Sequence, residues 1–243
     1  MSTINKDSYP RGDATSYEQP IGNTLKEPEC DPDSEGDPLA GLSVDERIEL
    51  AESPNTPAGT LTRLSEDGDV AVRRGVAGSP NAPAEVLDQL SEDGHRWVRW
   101  TVACNPNTAA ETLTRLSGDE NLGVRRGVAR SSNTSDETLT RLSEDKDWGV
   151  RELVAYNPHT PAKTLTRLSG DEDPDVRQEA ARNPHTPVEV LTRLSEEEDW
   201  GIRWEVTHNP HTPVEVLTRL SGDEDPDVRD GAQQALQARA NAN

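Results

Sequence analysis

One phrase constrains this chain more than any other feature. Asn-Pro-His-Thr-Pro-Val-Glu-Val-Leu-Thr-Arg-Leu-Ser occupies residues 183–195 and returns at 209–221. Diverged copies begin at Ser53, Ser79, Asn105, Ser131 and Asn157, so every copy starts 26 residues after the last. A fixed period of this size is the signature of a solenoid, whose units cannot bury an apolar face alone and must stack. Composition agrees. Only 31% of the 243 residues are hydrophobic, with no Phe and one Met. A compact globule would struggle on so little apolar material, whereas a repeat need only bury one seam against its neighbours.

Each unit reads as two short helices. In unit 183–208, Asn183-Pro184 breaks the preceding helix. Thr186 is expected to be the N-cap and Pro187 the first helical residue, where a missing N–H costs nothing. Leu191 and Leu194 form an i, i+3 apolar pair, and Ser195 with the acidic run closes the helix. Asp199 caps a second helix, which carries Ile202 and Val206 at i, i+4 and ends at His208. Helices of about eight to ten residues do not stand alone in water, so stacking must hold them. The i, i+3 pair suits a 3₁₀ turn as well as an α turn. The expected core is Leu61, Leu64, Val72, Val76 and their equivalents.

Asn-Pro-x-Thr-Pro, then Leu-x-x-Leu, an acidic loop and Val-Arg-x-x-Val-Ala, linked in seven units with substitutions, resemble the leucine-rich repeat variant family, over residues 37 to about 234. The resemblance implies an all-α, right-handed α-solenoid (a superhelix) of alternating α and 3₁₀ helices, related in shape to armadillo and HEAT arrays. Some relatives carry a cysteine-rich iron–sulfur segment before the repeats. Cys30 stands alone in that region here, so no cluster is carried over.

Around the units, residues 1–36 are rich in Asp, Glu, Pro, Gly and Ser without apolar periodicity, and are expected to be a disordered acidic tail. Residues 37–52 read as half a repeat that caps the array, with a helix starting near Ser43. The seven units fill 53–234, and 235–243 extend the last helix and fray. A longer period is superposed. Units 3, 5 and 7 share Ser-Gly-Asp-Glu, whereas units 2, 4 and 6 carry all five tryptophans.

Charge narrows the function. The formal net charge is −21, and Lys6, Lys26, Lys146 and Lys163 are the only lysines. Much acid with little Lys resembles halophilic proteins, whose carboxylate surface stays hydrated when salt screens charge. The balance disfavours non-specific nucleic-acid or anionic-membrane binding. Two cysteines, Cys30 and Cys104, form no framework and fit a reducing cytoplasm. The first residues lack an apolar signal region, and no run could span a bilayer.

Several columns of side chains are candidates for function. One arginine per second helix (Arg73, Arg99, Arg125, Arg151, Arg177, Arg203, Arg229) is expected to bond the acidic loops, with Asp67, Asp93, Asp145 and Asp171 as examples. In the first helices, Glu111–Arg115, Glu137–Arg141, Glu189–Arg193 and Glu215–Arg219 are spaced for i, i+4 pairs. His159, His185 and His211 lie one per unit. Adjacent units are roughly 8–10 Å apart, while one Zn²⁺ needs nitrogens at about 2.0–2.1 Å, so the three cannot converge on one metal. Asp171-x-Asp173-x-Asp175 and Asp223-x-Asp225-x-Asp227 imitate a calcium loop but lack its glycine and its final glutamate, and suit a helix N-terminus. No catalytic constellation and no cofactor motif is present.

The tryptophans remain. Trp148 and Trp200 share one angular position on the second helix, and Trp100 and Trp204 lie about 40° away, both sets facing away from Val150 and Ile202. The expectation is a non-catalytic protein-interaction scaffold with Trp100, Trp148, Trp200 and Trp204 as partner-binding anchors and Arg74 and Arg126 as their rim. The partner is another protein. The alternative is a nucleic-acid-binding solenoid that uses the arginine columns and stacks bases on Trp. A metal protein or an enzyme ranks last.

Overall fold

The computed structural model describes residues 39–242. The acidic segment 1–36 therefore lies outside the described residues. Residues 42–243 form one compact unit. It opens with α1 (Val44–Glu52), followed in unit 1 by α2 (Ala58–Leu64) and α3 (Val70–Gly78), and in unit 2 by α4 (Ala84–Leu90) and α5 (Arg96–Cys104). Unit 3 holds α6 (Ala110–Leu116) and α7 (Leu122–Arg130), and unit 4 holds α8 (Asp136–Leu142) and α9 (Trp148–Tyr156). Unit 5 holds α10 (Ala162–Leu168) and α11 (Pro174–Arg182), and unit 6 holds α12 (Val188–Leu194) and α13 (Trp200–His208). Unit 7 ends the array with α14 (Val214–Leu220) and the longer α15 (Pro226–Ala242).

The first helix of each unit is a seven-residue α-helix, closed by an i−4 bond such as Ser195 N–H to the Leu191 carbonyl, 3.0 Å. The 3₁₀ alternation implied by the resemblance is not found there. Two turns of α-helix already bring both leucines inward, and Leu61, Leu64, Leu191 and Leu194 are fully buried. Val72, Val76, Ile202 and Val206 meet them from the second helices, also fully buried. Each such side chain contributes roughly 1.5–3 kcal/mol relative to exposure.

The start of the first helix also differs from the sequence reading. Pro187 is the N-cap, with φ −59° and ψ 147°, and Val188 is the first helical residue. The proline ring fixes φ, and its carbonyl accepts the first helical bond from Leu191 N–H. Thr186 is not the cap because its hydroxyl is engaged elsewhere: it donates backward to the Ala180 carbonyl, 2.5 Å, at the end of α11. Thr108, Thr134, Thr160 and Thr212 do the same to Val102, Val128, Val154 and Val206. Each threonine sews the break between helices to the helix it has just left. The second helices are capped by side chains, as with Asp199 accepting from Gly201 N–H.

Several sets of polar bonds join the units, three of which recur along most of the stack. Asn157 donates its side-chain amide to the Ala129 and Ser131 carbonyls of the preceding turn, at 2.8 and 3.0 Å. Asn105, Asn183 and Asn209 repeat this bridge. The second set is the arginine column described below. In the third, the first-helix arginines turn to the preceding unit instead of to the glutamate four residues back. Arg115 reaches Asp88 at 2.5 Å, Arg141 the Thr114 carbonyl, and Arg219 Glu196 at 2.9 Å. A guanidinium at the end of a two-turn helix projects over the neighbouring loop, so the intra-helix partner is the farther one.

Second helices pack closely on one another along the stack, while successive first helices scarcely touch. The layer whose members approach most closely must line the inside of any curve the stack takes. It is this second-helix layer that carries the tryptophans.

Candidate partner-binding face

The second-helix arginines are engaged in structure. Arg73 Nε and Nη2 form a two-pronged pair with Asp93 of the next unit, at 2.6 and 3.2 Å, while its Nη1 donates to the Asp67 carbonyl of its own unit at 2.7 Å. Asp93 also accepts from the His95 backbone N–H, 2.8 Å. The rung recurs as Arg47–Asp67, Arg99–Asp119, Arg125–Asp145, Arg151–Asp171 and Arg203–Asp223. At Asp93, Asp119, Asp145 and Asp171, burial alone would raise the carboxyl pKa. The arginine, the backbone N–H and the neighbouring charges outweigh it and hold each below its ordinary value. The aspartate hydrogen bonds raise the arginines in turn.

One rung is imperfect. Position 197 is Glu where the others have Asp, and Arg177 Nε lies 3.5 Å from Glu197 Oε1, buried without a hydrogen-bond partner. Glu179 Oε2, on the same helix, is also buried and unpartnered. Burial pushes the Glu179 carboxyl pKa up.

With these charges engaged, the exposed apolar material stands out. Trp97, Trp100, Trp148 and Trp200 are 48, 40, 44 and 53% exposed, all on the second-helix layer. Trp204 differs. It is half-buried, packs on the core around Ile202 and Val206, and stacks on His208 at 3.9 Å between ring centroids. Its four-residue offset from Trp200 turns it toward unit 7. Trp97, which the sequence reading left out of the anchor set, belongs to the exposed group. It meets Trp100 edge-on at 6.0 Å, and the Arg96 guanidinium lies 5.6 Å from its ring centre.

Two open clefts result. In units 1 and 2, Trp97, Trp100, Arg74, Gly75, Gly78 and Glu52 line one of about 460 Å³. In units 6 and 7, Trp200, Trp204, His208, Asp227, Asp230 and Gln234 line another of about 580 Å³. Glycines let neighbouring second helices approach closely beside the tryptophans. A Cβ at Gly75 would stand 2.9 Å from the Ala51 Cβ, and one at Gly127 would stand 3.0 Å from the Ala103 Cβ and 3.7 Å from the Trp100 ring. The predicted rim residues differ from each other. Arg74 is exposed and forms no ion pair among the described residues, whereas Arg126 lies across Gly149 and pairs with Asp147 at 2.9 Å.

The other candidates behave as turn and cap residues. His159, His185 and His211 are exposed, one per unit. Asp171 pairs with Arg151, and Asp173 caps α11. Among the described residues no group of three His, Cys, Asp or Glu is placed to hold a metal ion, and no helix is long and apolar enough to cross a membrane.

A stack of short paired helices, a polar ladder joining unit to unit and a second-helix layer carrying the tryptophans define a repeat α-solenoid. The family model for the leucine rich repeat variant matches residues 148–173 and 174–199. A solved structure described as a leucine-rich repeat variant with a novel repetitive protein structural motif is 31% identical, covering 82% of this chain and 78% of that one, with a TM-score of 0.62. The chain belongs to the leucine-rich repeat variant family. More distant are a HEAT-like repeats protein from the archaeon Thermococcus onnurineus, 13% identical over 81% of this chain and 96% of that one with a TM-score of 0.36, and a designed armadillo repeat protein, 14% identical over 81% and 99% with a TM-score of 0.34. Neither carries weight beside the first. No curated protein matches the chain.

Proposed function

We propose that the protein is a non-catalytic interaction scaffold that binds another protein along its second-helix layer. Trp97, Trp100, Trp148 and Trp200 are the anchors, Arg74 is a charged rim group, and Trp204 is the wall of the far cleft. The reading is carried by one observation: among the described residues four tryptophans are 40–53% exposed on one layer, in alternate units, and Tyr156, 52% exposed, lies on the same layer. Exposed Trp of this kind is enriched where partners bind most strongly.

The nucleic-acid reading is weaker for a physical reason. It requires open guanidiniums, and six of the second-helix column and its cap are clasped by aspartates. The test is a co-purification from the native cell extract at the salt of that extract, with wild type beside Trp100→Ala/Trp148→Ala/Trp200→Ala. Loss of the bound protein from the triple variant is expected. Retention of the same partner at the same yield would sink the proposal.

A further inference from the structure

The second-helix layer is not uniformly acidic, although the chain is. One position per unit is exposed or half-buried on this layer, and down the stack it reads Arg74, Trp100, Arg126, Glu152, Gln178, Trp204 and Asp230. Charge therefore changes sign along the face. The cleft in units 1 and 2 is lined by Arg74 and Glu52, and Arg96 stands beside it over the Trp97 ring; among the described residues neither arginine forms an ion pair. The cleft in units 6 and 7 has Asp227 and Asp230 and no arginine or lysine. Between them Arg126 is paired with Asp147.

The distances make these two ends separate recognition elements. Four units divide Trp100 from Trp204. At roughly 8–10 Å per packed helix the clefts are about 32–40 Å apart. The screening length is about 8 Å at 0.15 M ionic strength, so a group bound at one end does not sense the charge at the other. An extended chain advances about 3.3–3.6 Å per residue, so about ten to twelve residues span the clefts and five or six span the interval between successive Trp-bearing units.

Resting on the binding face proposed above, we infer that the occupant is one extended polypeptide segment of about twelve residues. It is acidic over units 1 and 2 and basic over units 6 and 7, with apolar side chains five or six residues apart on the Trp sites. A nucleic acid would bring phosphates to Asp227 and Asp230. A uniformly basic peptide would match the net charge of −21 but be repelled by Arg74 and Arg96. Complementarity of this kind sets specificity and register more than raw affinity.

The full chain can be panned against a display library of random twelve-residue peptides at about 0.15 M salt, where exposed charges still interact over about 8 Å. Recovered peptides are expected to gather Asp and Glu at one end and Lys and Arg at the other, around aromatic residues or proline. Arg74→Glu/Arg96→Glu should bind a recovered peptide about tenfold more weakly and favour one whose acidic end is recoded to Lys. Asp230→Lys/Gln234→Lys should do the reverse at the basic end. All four side chains are exposed, so circular dichroism should show an unchanged fold. Peptides with mixed or uniformly basic charge would overturn the inference and leave the binding face standing. Equal recovery by Trp100→Ala/Trp148→Ala/Trp200→Ala, or no enrichment at all, would remove the binding face itself.

Discussion

At the scale of single residues, the repeated phrase is a set of hydrogen-bonding tasks. Asn157 is buried, and its amide satisfies two carbonyls of the preceding turn. Asn157→Ala removes both bonds and leaves buried acceptors, so it should cost about 2–3 kcal/mol in denaturant unfolding. A change below about 0.5 kcal/mol, the level of an ordinary surface substitution, would contradict the bridge. The ladder aspartates make a pH prediction. Their folded pKa values are depressed, so their contribution is present above the unfolded carboxylate pKa of about 3.9 and is lost as pH falls through the folded values. Stability measured from pH 6 downward should hold until about pH 4 and then fall, and Asp145→Asn should flatten that fall. Glu179 has the opposite sign. Its raised pKa means that the folded state binds the proton more tightly, so acidification through that value adds stability. Glu179→Gln should therefore raise the melting temperature at neutral pH.

At the scale of elements, the helices are too short to persist alone, and the contacts between units decide which of them hold. The boundary between α11 and α13 is the weakest rung, because the longer Glu197 side chain does not present both oxygens to Arg177. Glu197→Asp should restore the two-pronged pair and add about 1 kcal/mol, the order of one buried charge-assisted hydrogen bond. Hydrogen exchange should show slower amides in α11 and α13 with the rest unchanged. Faster exchange, or a gain spread evenly over the chain, would refute a local defect. The tryptophans divide in the same way. Trp148→Ala should change stability by no more than about 0.5 kcal/mol, as at a surface site. Trp204→Ala should cost more, since its ring packs on Ile202 and Val206.

At the scale of the whole molecule, each unit touches mainly its neighbours, so the array behaves as a sum of units and interfaces. Deleting residues 105–156, two whole units, places Arg99 against Asp171 and keeps a good rung. The shortened chain should keep the same helical signal per residue and unfold at lower temperature. Collapse to a coil would mean that the stack depends on contacts beyond neighbours.

The fold was legible in the sequence because repetition averages out local ambiguity. Seven copies of Leu-x-x-Leu, and an apolar-Arg-x-x-apolar pattern in every second helix, identify the buried positions, and Leu61, Leu64, Val72 and Val76 are fully buried. The pairing of the second-helix arginines with loop acids was also readable, since charge and period coincide. Three things were not. Thr186 and Pro187 exchanged roles because a hydroxyl can cap forward or bond backward, and only the path of the chain selects one. The first-helix arginines left their i−4 glutamates because the competing acceptors belong to another unit, 23 to 27 residues away. Trp97 joins the exposed set and Trp204 packs partly on the core because angular position on a lone helix does not say where the next helix lies. The period by itself determined the architecture and its core. Which side chains remain open to a partner was decided only by stacking, which places each helix face against a neighbour or leaves it in solvent.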